Sequence, residues 1–368
     1  MAEEVPGIAA LNTGGGAQVG SVSCASAGNC SAGGFYTDSS GGQQAFVVSQ
    51  VNGIWGKAKE VPGTAAANTG LAQVNSVSCA SVGNCSAGGF YLTTASQTPF
   101  VVSQVGGTWG KAKGIPVSRG SEGMVVSVSC ASAGKCSAGG STGQLQAFVI
   151  SQARGIWGTA KVVHGAQVLG VSCRSAGNCT AGGRAYDRSG HEQAFVVSQV
   201  GGAWGTAQEV PGTAALNQGG LARIGGLSCG SPGNCTAGGL YTDSSGHDQA
   251  FVDSQVNGIW GKAKEVPGIV TLDQGGQGQV NSVSCASAGN CSAAGYYYSS
   301  SQGQQAFVDS QVNGAWGTAE EVTGIGGFNT GGRAAINSVS CASAGNCSAG
   351  GSYEDFSGNI QAFVVSQT

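Results

Sequence analysis

Charge is scarce in this chain. Lys, Arg, Asp and Glu make up 9% of 368 residues, and the formal net charge is −3. That balance gives no electrostatic footing for nucleic acid or for an anionic membrane surface as partner. Long apolar runs are missing as well: Ala45-Phe46-Val47-Val48 is typical of the longest, far short of the ~20 residues that span a bilayer. Histidine occurs only at His164, His191 and His247, each isolated and read as solvated loop surface. A membrane-spanning protein, a polybasic binder and a coiled coil are excluded. The start, Met1-Ala2-Glu3-Glu4, is acidic and lacks the apolar core of a secretory leader, so the chain is read as a mature region.

Glycine and cysteine are plentiful instead, at 68 and 14 residues. So much glycine usually signals low complexity, but 40% hydrophobic content gathered in short runs is enough to bury a core. The cysteines fall as Cys24/Cys30, Cys79/Cys85, Cys130/Cys136, Cys173/Cys179, Cys229/Cys235, Cys285/Cys291 and Cys341/Cys347, every pair six apart. Trp55, Trp109, Trp157, Trp204, Trp260 and Trp316 recur in the same frame. The chain therefore reads as one domain, 1–368, of seven repeats about 43–56 residues long.

One repeat shows its internal plan. Residues 18–26 (QVGSVSCAS) carry a strand signal, 27–29 (AGN) a turn, and 30–36 (CSAGGFY) a second strand. A polar loop, 37–43 (TDSSGGQ), leads to a third strand at 44–50 (QAFVVSQ), whose continuous apolar centre implies burial on both faces. Asn52-Gly53 signals a type I′ hairpin turn, and 54–62 (IWGKAKEVP) reads as one fourth strand. Four short antiparallel strands repeated seven times indicate an all-β, seven-bladed β-propeller with four strands per blade. Residues 2–7 (AEEVPG) align with 58–63 (AKEVPG), the end of a fourth strand, while the last copy stops after its third. The N-terminal segment is thus expected to supply the outer strand that closes the last blade.

Cysteines six apart on the two arms of a hairpin face each other at disulfide distance. One intra-blade disulfide per blade is expected, and with it an oxidising, extracellular compartment. Zinc is the competing reading, but structural zinc sites bring ligands together in fours at closer spacing. No metal and no cofactor are expected. Asn-Cys-Ser/Thr at Asn29, Asn84, Asn178, Asn234, Asn290 and Asn346 matches the glycosylation acceptor pattern. Its place in a tight turn favours a positive-φ role for the asparagine.

Residues 49–55 (SQVNGIW), with like stretches at 103–109, 151–157, 198–204, 254–260 and 310–316, resemble the Asp-box of sialidase-like (BNR) propellers. The upstream SVSCASAGNCSAGG is similar to the first hairpin of related repeats in photosystem assembly factors and bacterial extracellular propellers. The box is one residue short here and lacks its Asp in every copy. The resemblance implies a propeller fold. Its catalytic branch would also imply three arginines, a Tyr/Glu nucleophile pair and an Asp acid converging from several blades. Of Arg119, Arg154, Arg174, Arg184, Arg188, Arg223 and Arg333, only Arg184 and Arg188 stand beside a Tyr and a carboxylate, Tyr186 and Asp187. No catalytic constellation is found, and the chain is not expected to be an enzyme. Asp253 and Asp309 replace the valine found at Val48, and the cost of burying an unpaired carboxylate suggests that they face solvent or a polar seam.

In a propeller the first-to-second and third-to-fourth turns share one face. The second-to-third and inter-blade loops share the other, where variable polar residues gather. Recurrent there are Asn12, Asn68, Asn217, Asp273 and Asn329 in the long loop. Tyr36, Tyr91, Tyr241, Tyr297 and Tyr353 end the second strand, with Tyr186 in the fourth copy. Gln44, Gln249, Gln305 and Gln361 begin the third, with Gln146 and Gln193 in the copies between. Amides beside an aromatic platform suit neutral sugars, and near-equivalent sites would add avidity. The third copy, with its 118–123 loop, and the fourth, with a shortened 162–168 loop, lack the pattern. The same residues could equally be turn formers and blade packing. The expectation is a secreted, monomeric, non-enzymatic binding module for a glycan or protein ligand, without nucleic acid or membrane insertion. Carbohydrate binding comes first, a protein-interaction scaffold is the alternative, and a degenerate glycosidase third.

Overall fold

A computed structural model describes residues 3–116, 122–143 and 145–367. Arg119 and most of the 118–123 loop lie outside them. The fold is an all-β, seven-bladed propeller with one disulfide per blade. The chain divides into two compact units, residues 1–179 with 200–203 and residues 180–199 with 204–368, and the division falls within the fourth blade.

In the first blade the strands are Ala17–Ser26, Asn29–Thr37 and Gln43–Val51, followed by two short pieces, Ile54–Trp55 and Lys59–Glu60. All neighbours are antiparallel and in sequence order, and the first six blades repeat the plan. The expected continuous fourth strand is broken because its register slips by one. Gln50 pairs with Trp55, but Phe46 pairs with Glu60. Between the two pieces the backbone N–H of Ala58 leaves its own sheet and donates to Pro6 O at 2.7 Å, and Ala112 N donates likewise to Pro62 O.

The seventh sheet holds three strands, Ala335–Ser343, Asn346–Glu354 and Ile360–Ser366. The N-terminal segment does not add the fourth strand expected of it. Among the described residues, 3–6 form no strand, while Val5, Ile8 and Leu11 pack with Phe46 and Val48 of the first blade. The segment is held at the first blade instead, where Val5, Ile8 and Leu11 bury apolar surface and Pro6 O accepts Ala58 N.

Each buried third strand serves two neighbours. Phe46 and Val48 meet Ala32, Tyr36 and Ala58 on one side. Ala45 and Val47 meet Val74, Val77 and Phe100 of the second blade on the other. In the second unit Ala250 and Val252 meet Val280, Val283 and Phe307 in the same way. The unbroken AFVV run follows from this two-sided burial. The glycines of the second strand permit the close approach: a Cβ on Gly34 would lie 1.8 Å from Gln18 O, at the bulge of the first strand.

Blades within a unit are also laced by serine. Ser21 and Ser23 accept the backbone N–H groups of Val77 and Cys79, each at 3.0 Å. Ser76 and Ser78 do the same for Val128 and Cys130, and Ser282 and Ser284 for Val339 and Cys341. The Ser-x-Ser-Cys signature is therefore an interface motif: its serines satisfy main-chain donors of the next first strand.

Candidate functional site

The seven disulfides join Cys24–Cys30, Cys79–Cys85, Cys130–Cys136, Cys173–Cys179, Cys229–Cys235, Cys285–Cys291 and Cys341–Cys347, with Cα atoms 3.8–4.0 Å apart. Among the described residues no cysteine is free, so no thiolate is left for zinc. In the first six blades the bridge stiffens a hairpin whose turn is braced against the third-to-fourth turn of its own blade. Gly53 N donates to Gly28 O at 2.8 Å, and Asn52 N to Asn29 Oδ1 at 3.1 Å. The left-handed residue of the first turn is Gly28 at φ 70°, not Asn29. Asn29 instead ties the turn with its amide, which donates to Ser26 Oγ and Ala27 O. Asn52 and Gly53, at φ 49° and 84°, form the expected type I′ turn.

These braced turns raise aliphatic side chains into water. Val51 and Ile54 face each other across the tip, and Ile54 is 75% exposed. Val105, Ile156 and Val200 are likewise exposed in the first unit, and Val256, Ile259 and Val312 in the second, with Ile259 at 77%. Singly, exposed aliphatics need no explanation. Repeated at one position on rigid turns, they form the most regular exposed feature of either unit, although the V-N-G-I tetrapeptide had been read only for its turn.

On the opposite loops the residues nominated from sequence have internal partners. Tyr36, Tyr241 and Tyr297 are buried and donate their hydroxyls to Glu60, Glu265 and Glu321 at 3.1, 3.2 and 2.9 Å. Burial first, and the adjacent carboxylate second, push all three phenols well above the usual range. Tyr91 packs on Phe100 with its phenol raised by burial, and Tyr353 packs on Phe328. Asn12 accepts the N–H of Thr37. Asn68 Nδ2 donates to Gln43 O and Gln44 Oε1, Asn217 Nδ2 to Glu192 O and Gln193 Oε1, and Asn329 Nδ2 to Gln304 O. Asp273 accepts from Gln277 N and Tyr298 N. The structure thus brings Tyr36, Tyr241 and Tyr297 to a Glu of the fourth strand, Tyr91 and Tyr353 to a neighbouring ring, and the long-loop residues Asn12, Asn68, Asn217, Asp273 and Asn329 to loop backbone.

A further device on these loops is legible as D-x-S-G-x-x-Q at Asp38, Asp187, Asp243 and Asp355. Asp38 Oδ1 accepts the N–H groups of Ser40 and Gly42, while Oδ2 accepts Gln44 Nε2 at 2.8 Å. Asp187, Asp243 and Asp355 clamp Gln193, Gln249 and Gln361 identically. The hydrogen bonds from Ser40 and Gln44 hold the Asp38 carboxyl down at about 2. The glutamine nominated for binding is thereby part of a turn lock.

No family model matches the chain, and no curated protein matches it. Solved structures share its fold. It is similar to Chaetomium thermophilum Sqt1 bound to the N-terminus of the ribosomal protein L10 (10% identity, 94% of this chain and 87% of that one, TM-score 0.54). It is also similar to the WD40 repeats of RRP9 (11%, 92% and 88%, 0.53) and to Kuenenia stuttgartiensis hydrazine synthase (8%, 100% and 98%, 0.53). The propeller architecture is common to all three.

Within this propeller the box-like stretches work without an Asp. Ser49 Oγ accepts Gln104 Nε2 at 2.9 Å and Trp109 Nε1 at 3.3 Å, both from the next blade. The recurrent Ser and Gln are therefore an inter-blade clasp, repeated at Gln152, Gln255 and Gln311 and joined by the indole of Trp109 and of Trp157. Of the Arg184, Tyr186, Asp187 and Arg188 group, Arg184 pairs with Glu192 at 3.1 Å and Tyr186 OH reaches the same oxygen at 3.5 Å. Asp187 is spent on its turn lock.

Asp253 and Asp309 do not face solvent or a polar seam: they are 3% and 2% exposed, at positions filled elsewhere by Val48, Val102, Ile150 and Val197. Asp253 Oδ1 accepts Ser254 N at 2.7 Å, and Oδ2 has no partner. Burial pushes the two carboxyls up to about 7 and about 6. Burial thus favours the protonated form of each acid, which costs less to bury than the charged one.

Proposed function

We propose that this propeller is a non-enzymatic, secreted protein-binding module that presents the aliphatic tips of its third-to-fourth turns. The observation that carries this reading is the repetition of exposed Val and Ile on turns held rigid by a disulfide hairpin and by cross-turn hydrogen bonds. Apolar anchors that need no ordering on contact lose little conformational entropy when they bind. Seven disulfides fit an oxidising compartment. A related precedent is that the similar Sqt1 propeller was solved with a protein N-terminus bound. The glycan reading had relied on Tyr36, Tyr241, Tyr297 and the loop amides, whose polar atoms are engaged inside the loops.

A photo-crosslinking residue at Ile54 or Ile259, compared with one at Ser40, tests this reading on the secreted protein. The expected outcome is a discrete protein adduct at the tip positions that disappears when the facing valine is charged, Val51→Asp with the cross-linker at Ile54 and Val256→Asp with it at Ile259, with unchanged thermal stability. Adducts formed only at Ser40, or formed equally by the charged-tip variants, would remove the tips from the function.

A further inference from the structure

The sixth blade departs from the turn lock. Where four copies place Asp38, Asp187, Asp243 and Asp355, this one has Ser299, six residues before Gln305. The serine hydroxyl is too short to reach the glutamine. Ser299 Oγ makes long contacts with Ser301, accepting from its N–H at 3.4 Å and meeting its hydroxyl at 3.4 Å. Gln305 Nε2 turns instead to Gln302 O at 2.7 Å.

Its other amide atom is abandoned. In the first blade Oε1 of Gln44 accepts Asn68, and in the fourth Oε1 of Gln193 accepts Asn217. Gln305 is 1% exposed, yet its Oε1 has no hydrogen-bond partner. Beside it an open cavity of about 450 Å³ is lined by Gln305, Asn329, Ser301, Gln302, Thr330 and Gly326, among others. That volume falls in the range of small-molecule sites. The floor is a pair of buried amides and the walls are hydroxyls and glycine, with no charged side chain in the lining.

We propose that this cavity is a binding site for one small neutral polyol, a monosaccharide or a terminal sugar residue, whose hydroxyl donates to Gln305 Oε1. A buried acceptor left unpaired costs about 1–3 kcal/mol, so an occupant of the cavity that supplies a donor is favoured over one that does not. A cation is disfavoured because the lining offers no counter-charge for its desolvation. An anion is disfavoured because the orphaned atom is itself an acceptor. Sugar hydroxyls donate and accept, matching the mixed amide and hydroxyl walls. Gln249 Oε1 is unpartnered too, beneath an intact Asp243 clamp, so what sets this site apart is the open cavity beside Gln305, and it is independent of the protein-binding tips.

The test is titration of the whole protein with D-glucose and D-galactose, followed by the side-chain amide resonance of Gln305. A saturable shift in the millimolar range is expected with at least one sugar. Gln305→Leu, followed through neighbouring backbone amides, should weaken binding about tenfold. Gly326→Leu should fill the cavity, since a Cβ there meets nothing closer than Glu321 Oε1 at 3.7 Å. Absence of a saturable shift with either sugar, or equal affinity in folded Gly326→Leu, overturns the proposal.

Discussion

Replacing Asp253 by valine should stabilise this protein at neutral and alkaline pH and alter it far less in acid. The carboxyl titrates at 3.8 when exposed and at about 7 in the fold, because burial disfavours its charged form. Between those values the native state holds a proton that the unfolded chain releases. The contribution of this group is therefore fully present below about pH 4 and is lost as pH rises through about 7. The separation corresponds to about 4 kcal/mol as an upper bound. Asp253→Asn removes the titration and should recover most of that amount at pH 8 while remaining near neutral at pH 4. Asp253→Val adds the burial of an apolar side chain, about 1.5–3 kcal/mol, in a position that other copies already fill with Val48, Val102 and Val197. Guanidinium unfolding at pH 4 and pH 8 measures both variants against the parent. A destabilised Asp253→Val at pH 8, or a gain for Asp253→Asn that is equal at both pH values, would refute the placement of this carboxyl in a dry interface.

Asp309, raised to about 6, should give a smaller gain over a correspondingly lower pH window. Arg154 holds φ +52° in a turn where the first and fifth blades have Asn52 and Asn257, so Arg154→Asn should raise stability by about 0.5–1 kcal/mol in thermal unfolding. Tyr297→Phe deletes the hydrogen bond to Glu321 and should cost about 1 kcal/mol; no loss would mean that the pair is not formed in solution. Removing Cys79 and Cys85 together should cost about 2 kcal/mol on the loop-closure model, and non-reducing peptide mapping should find bridges only within copies.

The repeat was legible because cysteine, tryptophan and Asn-Gly mark every copy at fixed offsets, and each constrains the backbone by itself. The broken fourth strand was not, because the partner that draws Ala58 away is Pro6, 52 residues earlier. Local strand propensity carries no sign of that bond. The tyrosines were ambiguous for another reason. A phenol suits a sugar platform and a buried hydrogen bond to Glu equally, and only Glu60, Glu265 and Glu321 across the sheet decide between them. Asp253 and Asp309 were misplaced by an energetic argument that assumed a charged side chain, whereas burial shifts the protonation state first. The turn lock lay in plain view at a spacing of six.

The serine lacing within each unit has a consequence for how such a chain can change. Because the hydroxyls of one first strand meet the main-chain amides of the next, whatever side chains that next strand carries, every copy brings its own fastening and needs only a backbone to fasten to. Duplication or loss of a whole copy therefore leaves the remaining junctions chemically intact, and individual copies stay free to diverge at their loops.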